Sequence, residues 1–222
     1  MLPPTTWMVT GANRGLGLEL CRRLLADPQR FVIAATRSPE EAHELQKISR
    51  ANPERVHIQK LDVTSVEEAK AAAEQVARLP IIEQNGLDCF VSNAGVCSGG
   101  PRTVTEMDMD ELKDCVNANT IGTIISTHAF LPSCGREKSK AGSDWYNLHL
   151  HHELHSEGFT IAAFLPGYMN TKMAHINNNY DDESMMLDPA VAAANSLRLL
   201  DRLRPEDSGK KWSTQTGLEV PW

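Results

Sequence analysis

The stretch Val9-Thr10-Gly11-Ala12-Asn13-Arg14-Gly15-Leu16-Gly17 constrains this 222-residue chain more than any other. It follows a short β-type apolar run, Thr6–Val9, and opens a helix-period segment from about Gly15 to Ala26. Three glycines between a strand and a helix do separate jobs. Gly11 permits the tight turn, Gly15 lets the backbone approach a pyrophosphate, and Gly17 lets the helix pack on the sheet. The helix N-terminus then presents free N–H groups and a positive dipole end to phosphate oxygens. A chain with this loop in this context is expected to be an α/β protein that holds a dinucleotide.

The rest of the sequence repeats the same alternation. Phe31–Thr36 is a second strand, and Pro39–Ser49 a helix opened by Ser38-Pro39. Val56–Leu61 is a third strand. Thr64-Ser65 caps a helix through about Leu79, with Glu67 and Glu68 in its first turn. Leu87–Val91 is a fourth strand, Asp108 to Leu131 a long helix, and Phe159–Leu165 a further strand. Strand and helix alternating over short connections give a doubly wound parallel sheet of Rossmann type. No repeat or low-complexity linker divides the chain, so residues 1–222 are expected to form one domain.

Composition narrows the function. A formal charge of −7 and a pI near 5.6 argue against a nucleic-acid partner. The five cysteines, Cys21, Cys89, Cys97, Cys115 and Cys134, show no CxxC pair or metal spacing and read as thiols in a reducing compartment. No apolar stretch is long enough to span a membrane and no signal peptide is visible, so a cytoplasmic location is expected. The run His149, His151, His152 and His155 is not HExxH; solvated or interface histidines are expected, and no metal.

The second strand ends Ala35-Thr36-Arg37, without the acid that would bind the ribose 2′-hydroxyl of NAD. Arg37, helped by Arg14, would instead pair with a 2′-phosphate, which points to NADP.

Several motifs occur together and in order: TGxxxGxG at Thr10–Gly17, AATR at Ala34–Arg37, LDVT at Leu61–Thr64, SNAG at Ser92–Gly95, PGYMNTKM at Pro166–Met173, and the ending from Ser208 to Trp222. With them the chain resembles the short-chain dehydrogenase/reductase family over nearly its whole length, in its C-factor or carbonyl-reductase-like branch. The resemblance implies an NADP-dependent oxidoreductase acting on a small carbonyl or alcohol substrate. It implies cofactor contacts from Gly11, Asn13, Arg14, Gly15, Leu16 and Gly17, from Thr36 and Arg37, and from Asp62 and Val63 at the adenine. Asn93, Ala94 and Gly95 would lie along the cofactor. Pro166 and Gly167 would close over the nicotinamide, with Thr171 near its carboxamide. Asn119 and Lys140 match the family's catalytic asparagine and lysine, Lys140 also holding the ribose. A homodimer through the helix from Lys140 to His155 is a further implication.

The family's remaining catalytic groups are a serine and a tyrosine, the tyrosine four residues before the lysine. Ser139-Lys140-Ala141 matches the surroundings of the lysine, and four residues back stands Arg136. Arginine is not deprotonated in proteins and is no general acid. Only 21 positions separate Asn119 from Lys140, too few for the central strand that ends in the serine. The sheet is therefore expected to lack one central strand, through an internal deletion near Ser133–Arg136. On this reading the chain is either an impaired reductase or a redox-inactive relative, a cofactor-binding protein or a non-redox catalyst such as an isomerase or cyclase.

Overall fold

A computed structural model describes residues 4–97, 108–134, 144–176 and 186–222. Four parallel strands come first: β1 (Thr5–Thr10), β2 (Arg30–Thr36), β3 (Val56–Lys60) and β4 (Cys89–Val91), in spatial order β3-β2-β1-β4. Both faces of the central strands are covered, so they read as unbroken apolar runs. Alternate residues serve opposite faces. Trp7, Val9, Val32 and Ala34 join the core under α1 (Gly15–Leu24) and α9 (Pro189–Arg202). Met8, Ile33 and Ala35 join the core under α3 (Val66–Ala77), α6 (Gly122–Phe130) and α7 (Asp144–Leu154).

Local chemistry explains where the helices differ from the sequence reading. The expected Pro39–Ser49 helix is a 3-10 turn, Pro39–Glu41, followed by α2 (His43–Ala51). Ala42 breaks it with ψ of 58°, and the Gln46 side chain bonds the Pro39 carbonyl at 2.7 Å. Pro80 starts a separate α4 (Pro80–Asn85), its place at a first helical turn leaving Leu79 extended. Asp108, where the long helix was expected to begin, caps it by accepting from the N–H groups of Asp110 and Glu111. That helix is then interrupted: α5 (Met109–Val116), a π turn at Asn117–Ile121, then α6. No helix among the described residues is long and apolar enough to cross a membrane.

The second half forms a separate small sheet. β5 (Ala162–Leu165) lies parallel to β6 (Lys210–Ser213), and β7 (Glu219–Val220) pairs antiparallel with β6. The sheet is thus not wholly parallel, and β6, β7, α9 and the short α8 (Lys172–Ile176) were not read from the sequence. Among the described residues no ladder joins β4 to β5. Leu87, expected in β4, instead makes a lone parallel bridge with Cys134, its N–H donating to the Ser133 carbonyl at 2.8 Å. Residues 135–143 lie outside the described residues. Side chains hold the two sheets together: Leu87 and Phe90 share one core with Phe130, Leu150, Phe159 and Ile161, and Phe90 stacks on Phe130 at 5.7 Å.

Two helices flanking that core bury polar atoms that find no hydrogen-bond partner among the described residues, the Thr127 hydroxyl of α6 and the Asn147 amide of α7. An unpaired buried hydroxyl costs roughly 1–3 kcal/mol. Thr127→Val, which keeps the shape and removes the hydroxyl, should therefore raise the melting temperature by about 2–4 °C for each kcal/mol recovered. A fall of that size in thermal denaturation would mean that the hydroxyl has a partner.

Candidate cofactor site

The site is built on the C-terminal edge of the first sheet, where β1 ends. The Thr10 side chain is fully buried there. Its hydroxyl accepts from the N–H groups of Asn93 and Ala94, both at 3.0 Å, and the Asn93 amide donates back to the Thr10 carbonyl at 2.8 Å. These bonds fix the loop after β4 against the loop after β1. The Ala12 N–H donates to the Ala35 carbonyl at 3.0 Å and ties the same turn to the end of β2.

Each glycine has a measurable reason. Gly11 has φ of 66°, and a Cβ there would lie 2.8 Å from the Ala94 Cα. A Cβ on Gly17 would run into the Gly11 carbonyl and stand 2.6 Å from the Asn93 amide nitrogen. Gly15, with φ of 56°, is different: among the described residues the only atom near its missing Cβ is the Thr171 methyl at 3.7 Å, and no described residue fills the space before α1. That contact brings the Pro166–Thr171 loop to the mouth of the glycine turn.

The Pro166–Thr171 loop is held from both sides. The Thr214 N–H donates to the Leu165 carbonyl at 3.0 Å, and the Leu187 N–H to the Tyr168 carbonyl at 2.7 Å. Gly167, with φ of 83°, has the Gln215 side chain packed against it. At the other end of the sheet, Asp62 is locked by its neighbours: its carboxylate accepts from the Thr64 N–H and hydroxyl at 2.9 and 2.7 Å. Val63 packs on Gly122, where an added Cβ would come within 2.9 Å of it. Asn13, Arg14 and Arg37 are exposed, and Thr36 is buried. Among the described residues no carboxylate forms an ion pair with Arg14 or Arg37.

Asn119 sits inside the π turn. Its side chain grips the backbone after Gly95, accepting from the Val96 N–H at 2.7 Å and donating to the Val96 carbonyl at 2.8 Å. The extra residue in the turn re-aims a helix position toward the β4 loop, a use π turns often have at functional sites. The structure thus gathers the glycine turn, Asn93–Gly95, Asn119 and Thr171 on one edge. Lys140, Arg136 and Ser139 lie outside the described residues. Thr10 and Gln215 are the positioning residues that the sequence reading missed; Thr10 stands beside Gly11 in the quoted motif, whereas nothing local marks Gln215.

Burial works against two of the described titratable groups as proton donors. Burial, with a smaller push from Glu153, raises the Tyr146 phenol and makes it a poorer acid. Burial takes the Cys21 thiol to about 12 and leaves it inert. Within the histidine run, His151 is half-buried and engaged inside the fold, its Nδ1 2.8 Å from the Ser208 hydroxyl. Among the described residues no three ligand-type side chains gather in a metal-binding group.

A glycine-lined turn between a strand and a helix, at the C-terminal edge of a parallel sheet, defines a nucleotide-binding Rossmann-type protein. Its family follows from comparison: the short chain dehydrogenase family model matches residues 5–143, and the chain belongs to that family of nicotinamide-cofactor oxidoreductases. An uncharacterized oxidoreductase of Schizosaccharomyces pombe is 28% identical over 240 residues, covering 91% of this chain and 92% of the other. A short-chain dehydrogenase of Pyricularia oryzae is 29% identical over 255 residues, covering both chains in full. Among solved structures, the NADPH-bound carbonyl reductase from chicken fatty liver superposes with a TM-score of 0.87 at 24% identity, covering 100% of each chain. The carbonyl reductase Sniffer of D. melanogaster gives 0.86 at 20% identity, covering 99% of this chain and 100% of that one.

Gly17→Ala tests the turn directly. The added methyl must push α1 off the loop, so affinity for a nicotinamide dinucleotide should fall at least ~10-fold, about 1.4 kcal/mol. Cofactor fluorescence titration reads this, and an unchanged dissociation constant would contradict the tight packing.

Proposed function

We propose that the protein is an NADP(H)-binding short-chain oxidoreductase of the carbonyl-reductase type whose cofactor half is complete and whose proton-delivery half is not. The observation that carries the cofactor preference is the pair of exposed arginines. Arg37 stands where an NAD-binding sheet places an acid, and Arg14 directly precedes α1. Both are placed to take a 2′-phosphate in charge-assisted contacts. The chicken carbonyl reductase with NADPH, and a Burkholderia multivorans short-chain protein with bound NADP at a TM-score of 0.82, are similar in fold and agree with this reading.

The residues present would hold the cofactor along Gly11–Gly17, Asn93–Gly95 and Pro166–Thr171, with Asp62 and Val63 beside the adenine and Lys140 at the ribose. Bound NADPH would supply a hydride to a carbonyl carbon. The alkoxide that develops needs a proton, and a positioned acid is worth about 10²–10⁴ in rate. Arg136 cannot give one. Burial raises the pKa of Tyr146, six residues past Lys140 in sequence, and disfavours it as that acid.

Three observations support a lost block as the cause. β4 and β5 share no ladder among the described residues. Thr127 and Asn147, on the helices to either side of the junction, bury polar atoms with no hydrogen-bond partner among the described residues. The alignment with the Pyricularia protein spans 255 positions, about 33 more than this chain has residues. On this reading the chain as written acts as a cofactor-binding protein with little or no redox turnover. A lost block also predicts that the genomic sequence between the codons for Leu131 and Lys138 contains an unread in-frame stretch encoding a strand, a serine and a tyrosine. An uninterrupted coding sequence there would make the redox-inactive form the native one.

Calorimetric titration should show tighter binding of NADPH than of NADH. Arg37→Asp should reverse the order, a change of about 2 kcal/mol or more, because a lost ion pair is replaced by repulsion. Equal affinities for the two cofactors would remove the assignment.

A further inference from the structure

We propose that Gly122 and Val63 form a size-matched pair that seats the π turn and so aims Asn119 at the backbone of the β4 loop. Both are positioning residues that act through Asn119.

The backbone does not ask for glycine at position 122. Its φ of −62° and ψ of −35° are ordinary helical values that any residue adopts. Glycine is also among the weakest residues for a helix interior. Space is what asks for it. A Cβ there would stand 2.9 Å from the Val63 Cγ2, and 3.3 Å from both the Val63 Cβ and the Asn117 carbonyl oxygen. That carbonyl accepts the Gly122 N–H in the bond that spans the π turn. One added methyl would therefore press on the valine on one side and on the bond that makes the turn on the other.

Val63 is poorly able to give way. Its β-branched side chain has little χ1 freedom, and its backbone is tied from both directions. The Asp62 N–H donates to Glu68 Oε2 at 3.2 Å, and the Asp62 carboxylate accepts from the Thr64 N–H at 2.9 Å. The Ser65 N–H donates to the Asp62 carbonyl at 3.2 Å. Val63 itself packs against the core that holds Leu61, Ala69 and Phe130. A turn fixed in this way meets the start of α6 at a set distance.

On the helix side, two buried hydroxyls turn back onto the same stretch. Thr123 Oγ1 donates to the Asn119 carbonyl at 3.2 Å and accepts from the Ser92 hydroxyl at 3.4 Å. Ser126 Oγ donates to the Gly122 carbonyl at 2.8 Å. Such back-bonding often bends a helix. The π turn is thus held at two points: Asn119 grips the Val96 N–H and carbonyl, and Gly122 rests on Val63. On the cofactor reading given above, Val63 stands beside the adenine. The contact would then tie the adenine end of the edge to the loop that lies along the rest of the cofactor.

The test follows amide hydrogen exchange at Val96, whose N–H is held by the Asn119 side chain. Ala190, whose N–H is held in the same way by the Asp188 side chain at the start of α9, serves as the distant reference. In Gly122→Ala, exchange at Val96 should accelerate at least ~10-fold while Ala190 stays within about twofold. Adding Val63→Ala, which removes the methyl in the way, should recover at least half of that change. Asn119→Ala should speed Val96 as much by itself, and adding Gly122→Ala to it should change nothing further. NADPH affinity gives a second readout, which rests on the cofactor reading: the dissociation constant should rise at least ~5-fold in Gly122→Ala and fall back when Val63→Ala is added. Should the unaltered protein bind no dinucleotide, that reading falls, and exchange at Val96 still decides this proposal. Unchanged exchange at Val96 in Gly122→Ala would overturn it. So would equal acceleration at Ala190, no recovery with Val63→Ala, or effects that add to those of Asn119→Ala. If Gly122→Ala does not fold, Val63→Ile presses the same gap from the other side, and an unmoved Val96 there would overturn it too.

Discussion

Two backbone N–H groups, those of Asn93 and Ala94, converge on the buried hydroxyl of Thr10, while the Asn93 side chain returns a bond to the Thr10 carbonyl. The geometry of the cofactor edge depends on this knot. It sets the β4 loop so close to the β1 turn that only glycine fits at positions 11 and 17. Once the loop is fixed, Asn119 can reach the Val96 backbone from its π turn. The space before Gly15 that no described residue fills then lies between α1 and the Thr171 loop. A buried hydroxyl that accepts two backbone N–H groups makes the edge rigid before any ligand arrives.

The second half of the molecule is organised by a different force. β1 to β4 are joined by continuous hydrogen-bond ladders, whereas among the described residues β4 and β5 are joined by packing of Phe90, Phe130, Leu150, Phe159 and Ile161. Apolar packing is roughly proportional to area and tolerant of direction, so it holds the halves together. It does not fix atoms to the fractions of an ångström that proton transfer requires. On the proposed reading, a short-chain reductase that kept its cofactor half and lost a central strand would keep its fold and binding edge longer than its turnover.

Much of this was legible in the sequence. The glycine spacing, the apolar runs of β1, β2 and β3, the caps at Ser65 and Asp108, and the missing acid after Thr36 are local signals, and local signals survive in a string of residues. The π turn at Asn117–Ile121 was not, because its residues suit an ordinary helix and the extra residue comes from the pull of the β4 loop on Asn119. β6 and β7 were missed because Lys210–Ser213 and Glu219–Val220 are short, half-exposed and polar; they are strands only through the neighbours they pair with. The end of the helix near Leu79 was read, but the separate α4 that Pro80 opens was not. His151 looked like its neighbours in a polar run, and only the fold turned it toward Ser208.

The central claim is that binding and turnover have come apart in this chain. The most direct measurement is NADPH oxidation by the unaltered protein, at cofactor concentrations shown by titration to saturate it, against a panel of ketones, aldehydes and quinones. The account predicts saturable NADPH binding with carbonyl reduction at or near the uncatalysed rate, and no rescue by Arg136→Tyr alone. Robust NADPH oxidation with any member of the panel would contradict it, by showing that another residue delivers the proton.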